Sequence, residues 1–154
     1  MKNNVEAILR KNGLKNTKTR REIYKYLLNT RSHPSVYDIY QHTKSILPGM
    51  SYATVYNVVN TFVDKGIIQE LSPFDGKRRF DANKIPHFHL VCVKCGRIED
   101  VPFEDEGERF KRILKEKKWK PLQFNFIIYG ICDQCSEKSS EGRPSEVSKI
   151  PGLF

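Results

Sequence analysis

Residues 51–81 read SYATVYNVVNTFVDKGIIQELSPFDGKRRFD, and the fold turns on this stretch. Ser51 stands where a helix cap is favoured, because a serine hydroxyl can accept an N–H group that a first helical turn leaves unpaired. Val55, Val58, Val59, Phe62 and Val63 then recur at i, i+3, i+4, i+7 and i+8, which gathers them on one face of a helix. Gly66 ends that helix. Ile67–Leu71, a turn through Ser72-Pro73-Phe74-Asp75-Gly76, and Lys77–Asp81 predict a β-hairpin whose return strand carries Lys77, Arg78 and Arg79. Upstream, Ser35 with Asp38 three residues on forms a capping-box pattern before a helix with Val36, Ile39, Tyr40, Thr43, Ile46 and Leu47 on one face. Pro48-Gly49 stops it, so only a tight turn separates the two helices. A helix-turn-helix followed by a basic hairpin predicts a winged helix.

Two more helices precede this unit. One spans Asn4–Asn12, with Val5, Ile8 and Leu9 apolar and Gly13 as its stop. The next opens at Thr19, with Glu22 completing a capping box and Ile23, Tyr26 and Leu27 as its buried stripe. Beyond Asn83–Pro86 the pattern changes. His89–Val93 and Arg97–Val101 predict strands around a Cys-x-x-Cys-Gly turn, and Glu104–Lys118 predicts a helix with acids first and lysines last. Leu122–Ile131 alternates Leu122, Phe124, Phe126 and Ile128, the period of a strand. The fold class expected is α+β: a winged helix-turn-helix domain over 1–82, a hinge over 83–86, a small α/β domain over 87–136, and a mobile tail over 137–154.

Charge divides along the same line. Residues 1–80 hold 14 Lys+Arg against 6 Asp+Glu, a net of +8, whereas residues 81–136 hold 10 against 9, a net of +1. A basic half beside a neutral one points to a polyanion partner for the first half only. No apolar run approaches the length of a membrane helix, and Met1–Glu6 leads into no apolar leader segment, so a cytoplasmic protein with no membrane partner is expected.

Cys92-Val93-Lys94-Cys95 and Cys132-Asp133-Gln134-Cys135 each place two thiols on one tight turn. Two such knuckles complete a tetrahedral thiolate shell that suits Zn2+ and leaves no open catalytic position. A redox dithiol is the competing reading, although such pairs usually open a helix and neither does so convincingly here. A second constellation mixes imidazole and carboxylate. His87-Phe88-His89 places two imidazoles on one side of an extended segment. Asp81, Asp100 and His33 join them from the wing, the second domain and the head; Glu99 would replace Asp100 if the strand register shifted. His42 lies on a polar helix face, where a solvated role is expected. Such donors suit Fe2+, Mn2+ or Zn2+ without strong preference. Strand histidines satisfied by hydrogen bonds remain the alternative. On the predicted recognition helix, Tyr52, Thr54, Tyr56 and Asn57 can meet base edges, while Lys15, Lys18, Arg20, Lys77, Arg78 and Arg79 can meet phosphates.

The stretch Ser51–Tyr56, Arg79-Phe80-Asp81, the segment His87–Gly96 and Tyr129-Gly130-Ile131-Cys132-x-x-Cys135 together resemble the ferric uptake regulator (Fur) family, over roughly residues 5–136. The resemblance implies a homodimeric winged-helix transcription factor, dimerised through residues 87–136, with a structural zinc on the four cysteines. It further implies a regulatory Fe2+ or Mn2+ at His33, Asp81, His87, His89 and Asp100, and base contact by Tyr56. Aspartate at Asp100 is similar to the family's peroxide-sensing (PerR) branch, in which histidine ligands are oxidised; His33 and His87 are the corresponding candidates here. The expected protein is a repressor of a palindromic double-stranded DNA operator, not an enzyme, with no small-molecule substrate. An iron- or manganese-level-responsive repressor is the alternative within the family. A two-histidine, one-carboxylate oxygenase and a zinc-stapled interaction module are the readings from other classes.

Overall fold

Side-chain caps set where the helices of the N-terminal half begin. In the computed structural model, which describes residues 5–71, 76–104, 106–121 and 124–137, this half holds α1 (Val5–Lys11), α2 (Lys18–Asn29), α3 (Val36–Ile46) and α4 (Tyr52–Asp64). Ser35 and Asp38 form the expected capping box, and Ser51 caps α4 by accepting from the Thr54 N–H at 3.1 Å. The cap of α2 is Thr17, not Thr19: its extended backbone lets its hydroxyl accept the Arg20 N–H, and Thr19 falls inside the first turn. Glu22, displaced from a capping role, pairs with Lys25 at 3.1 Å.

Ile23, Tyr24 and Leu27 from α2, Val36 and Ile39 from α3, and Val55, Val59 and Phe62 from α4 build one apolar core with Leu9, Ile68 and Phe80. Tyr24 rather than Tyr26 enters it, edge-on to Phe62; Tyr26 stays half-buried and stacks on His42 at 4.0 Å. His42 is therefore half-covered rather than fully solvated. Ile46 is exposed, because the last turn of α3 runs past the core. Gly66 closes α4 in the left-handed region (φ 62°), where a Cβ would be strained. The chain then forms the antiparallel pair β1 (Gln69–Leu71) and β2 (Arg79–Asp81), with Glu70 opposite Phe80. The turn expected through residues 72–75, Leu122 and the tail from 138 onward lie outside the described residues.

The C-terminal half follows the expected β-β-α-β order. It holds β3 (His87–Cys92), β4 (Ile98–Pro102), α5 (Glu106–Glu116), β5 (Phe126–Gly130) and a single-turn α6 (Asp133–Glu137), of which only Glu137 falls in the expected tail. The sheet order is β4-β3-β5, antiparallel on one side of β3 and parallel on the other. One face carries Phe88 and Phe126, packed with Phe103 and with Phe110 of α5. Farther along that face, Leu90 and Ile128 are register partners and remain exposed. His87 and His89 alternate onto the opposite face, toward the N-terminal half. Among the described residues, no helix is long and apolar enough to cross a membrane.

The α2 cap gives a direct check. Thr17→Ala should cost about 1 kcal/mol in denaturant unfolding, while Thr19→Ala should stay within about 0.5 kcal/mol of the parent.

Candidate metal centres and nucleic-acid face

His33 lies in the loop between α2 and α3 with a left-handed backbone (φ 48°), an uncommon conformation for a residue other than glycine. The Phe80 N–H donates to the Pro34 carbonyl at 3.1 Å, tying that loop to β2 and bringing His33 beside Asp81. On the other side of the cluster, the antiparallel register sets Asp100 directly opposite His89. Glu99 faces Leu90 instead and pairs with Arg97 at 2.8 Å, so Asp100 is the acid on the histidine face.

The donors converge tightly. His33, His87, His89 and Asp100 each offer an atom within 4.8 Å of all the others. His33 Nε2 stands 2.9 Å from Asp100 Oδ1, and Asp81 Oδ2 stands 3.3 Å from His87 Nε2 and 3.5 Å from His89 Nε2. His87 and His89 meet Nε2 to Nε2 at 2.9 Å. Two nitrogens bound at right angles to one ion, with bonds of about 2.1 Å, would stand about 3 Å apart. Each orienting contact leaves one atom turned inward. The Asn83 N–H takes Asp81 Oδ1 at 2.8 Å, and His87 Nδ1 donates to the Ile85 carbonyl at 2.6 Å. That second bond fixes the His87 tautomer and leaves Nε2 with a lone pair to offer. His33 Nε2, Asp81 Oδ2 and Asp100 Oδ1 are buried without a well-aligned hydrogen bond. Burial pushes the His33 pKa down, against the pull of Asp100 and Asp81, and so favours its neutral, ligating form. Burial alone would raise the Asp81 pKa, but hydrogen bonds from His89 and the Asn83 N–H, with His33 and His87 nearby, hold it low. Imidazole nitrogens and carboxylate oxygens facing one buried spot fit a divalent cation.

The four cysteines also come together, every Sγ within 4.8 Å of the others. Bonds of about 2.3 Å at tetrahedral angles would put sulfurs about 3.8 Å apart. Cys95 Sγ and Cys132 Sγ stand 3.7 Å apart, far beyond a disulfide bond. Burial acts to raise the Cys92 thiol, but N–H groups of Cys132, Cys95 and Lys94 outweigh it and bring it to about 6, a thiolate at neutral pH. Neighbouring Cys132 and Cys95 push Cys135 up to about 12, and a cation among the four sulfurs would favour its thiolate. The sequence expectation that neither pair opens a helix is corrected, since Cys132 leads into α6. Because the two pairs face each other and not separate partners, this is a closed sulfur shell that suits structural zinc.

On α4, Tyr52, Thr54, Tyr56 and Asn57 are all exposed. Lys77 is exposed beside Tyr52 and Tyr56, Lys15 is exposed, and Arg20 is half-exposed with its guanidinium on the Lys15 carbonyl at 3.0 Å. Arg78 differs from the expectation of a phosphate contact. It grips Glu70 at 2.6 and 2.7 Å, and its charge is already matched. Sequence reading missed Asn83, whose N–H orients Asp81 and whose Oδ1 accepts the Ile85 N–H at 3.1 Å; the short Asp81-Ala82-Asn83 spacing was the available signal. It also missed Glu70, whose partner lies across the hairpin.

A winged-helix head facing a knuckled sheet, with two donor clusters, defines the class of metal-centred helix-turn-helix regulators. The chain belongs to the Ferric uptake regulator family, whose sequence profile matches residues 11–129. It is 38% identical over 136 residues to the peroxide-responsive repressor PerR of Staphylococcus epidermidis, covering 87% of this chain and 89% of that one. Among solved structures, the ferric uptake regulator of Pseudomonas aeruginosa with manganese aligns with a TM-score of 0.74 at 27% identity, covering 84% and 98% of the two chains. The Campylobacter jejuni peroxide stress regulator aligns at 0.68 with 31% identity, covering 84% and 97%.

The two clusters should respond separately. His33→Ala should lower Mn2+ affinity by at least about tenfold in a chelator competition while zinc content by elemental analysis stays unchanged. Cys135→Ser should release the zinc.

Proposed function

We propose that this protein is a metal-dependent, DNA-binding transcriptional repressor that senses peroxide through oxidation of a histidine at the site between its two halves. The observation that carries the reading is the origin of the donors: His33 comes from the helical half and His87, His89 and Asp100 from the sheet half, with Asp81 of the helical half against His87 and His89. A ligand held by all five stabilises the one arrangement of the halves in which they meet, and so shifts the population toward it. The working units are residues 1–82, a hinge over 83–86, and 87–136.

Fe2+ bound there would supply the reducing electron chemistry that activates hydrogen peroxide. His33 and His87 are the rings that would take up one oxygen, a ring C–H being replaced and the second peroxide oxygen leaving as water. An oxidised ring no longer offers the same lone pair, and the halves lose the contact that held them. One protein molecule is consumed for each event, so this is a sensor and not an enzyme. Manganese fits the same donors and supports DNA binding without that oxidation.

Tyr52, Thr54, Tyr56 and Asn57 would meet bases, and Lys15, Arg20 and Lys77 phosphates. Leu90 and Ile128 leave an apolar face beside the outer edge of β5, which supports assembly into a homodimer. A two-fold assembly matches a palindromic operator with half-sites about one helical turn apart, or overlapping arrays of them.

The test is DNA binding by the zinc-loaded protein with Fe2+ or Mn2+, before and after peroxide. The expected result is binding with either metal, release by peroxide only with Fe2+, and one added oxygen on the peptide of His33 or His87. Release with unmodified peptides would sink the oxidation route. Metal-dependent binding that peroxide leaves intact would identify a repressor of iron or manganese level instead.

A further inference from the structure

We infer that Arg78 is a positioning residue for base recognition, which sets Tyr56 and Asn60 as hydrogen-bond donors toward the DNA. This rests on the DNA-binding reading above. The Arg78 guanidinium is a planar fork that can only donate. Its Nε and Nη2 donate to the two carboxylate oxygens of Glu70 at 2.7 and 2.6 Å, a bidentate pair across the hairpin. Nη2 also donates to Asn60 Oδ1 at 3.0 Å, and Nη1 reaches the Tyr56 hydroxyl at 3.4 Å. The same group lies 5.7 Å from the Tyr56 ring centre and 5.4 Å from that of Phe80. One side chain thus links β1, the start of β2 and the recognition helix.

The direction of these bonds has a chemical consequence. Because Arg78 offers only protons, the Tyr56 oxygen facing it is an acceptor, and the Tyr56 O–H is left to point elsewhere. Asn60 likewise turns its oxygen to Arg78 and keeps its two amide protons for other partners. Tyr56 is exposed on the reading face, so it is presented as a donor, complementary to the acceptors of the major groove: purine N7, guanine O6 and thymine O4. Glu70 matches the charge on Arg78, so the pair adds little to the counterion release that drives non-specific affinity. Arg78 acts on which bases are chosen, through Tyr56, more than on how tightly the backbone is held.

The experiment uses the full chain, zinc-loaded and with Mn2+, to select duplexes from a pool with randomised positions; binding to the selected sequence and to a scrambled duplex is then measured across salt. Arg78→Lys keeps the charge and loses the fork. The discrimination ratio should fall on the order of tenfold while scrambled-duplex affinity changes little. The R78Q/E70Q pair keeps the net charge and should lose discrimination with an unchanged salt slope. A uniform loss across sequences, with the slope shallower by about one, would make Arg78 a phosphate contact and overturn the inference. The swap R78E/E70R restores the ion pair without the reach to Tyr56; recovered thermal stability with unrecovered selectivity is expected. Recovery of both would make the pair merely structural and also overturn it. If the unmodified protein selects no sequence at all, the DNA-binding reading itself fails, a result distinct from any of these.

Discussion

The register of β3 against β4 is the constraint on which the rest depends. With His89 opposite Asp100, the imidazole face of β3 meets a carboxylate, and Glu99 goes to the other face beside Arg97. A shift of one residue would exchange the two acids and turn every side chain of β4 over. The same strand carries Cys92 at its far end, so a single six-residue segment bears donors for both centres. Closing the sulfur shell ties the end of β3 to the start of α6, since the Cys132 N–H donates to Cys92 Sγ. A structural metal there would brace the register on which the other donor cluster relies.

The mixed cluster is built differently. The sulfur shell lies within one half and belongs to the stability of the sheet. The nitrogen and oxygen donors span both halves and belong to their arrangement. His87 Nε2 and His89 Nε2 at 2.9 Å, beside Asp81 Oδ2 and Asp100 Oδ1 that lack an aligned hydrogen bond, crowd polar atoms into one buried spot. Such a crowd is costly to bury unless positive charge enters it. Coupling metal to shape follows from that electrostatic fact and from the ligands' distribution.

Much of this was legible in the chain, and the limits were physical. The five-residue pattern from Val55 to Val63, the Ser35–Asp38 box and the paired Cys-x-x-Cys turns are local signals, decided by residues within a few positions of each other. Errors came where local options were nearly equivalent. Thr17 and Thr19 are both reasonable caps, and Tyr24 and Tyr26 differ only in which side of α2 the core occupies. Arg78 looked like one of three basic wing residues. Its partner Glu70 is a neighbour only because the hairpin pairs β1 with β2, and Asn60 only because the wing folds back onto α4.

By itself, the sequence determined the helix-turn-helix, the wing, the succession of elements along the chain and the chemical character of both donor sets, because periodicity, capping and ligand type are properties of short segments. The tertiary structure alone decided that His33, more than fifty residues before His89, stands within ligand distance of its companions. It also chose Asp100 over Glu99, and it turned Arg78 from a surface charge into a tie between wing and recognition helix. Those outcomes depend on register and on how two halves pack, and contacts between segments distant in sequence leave no periodic trace in either segment.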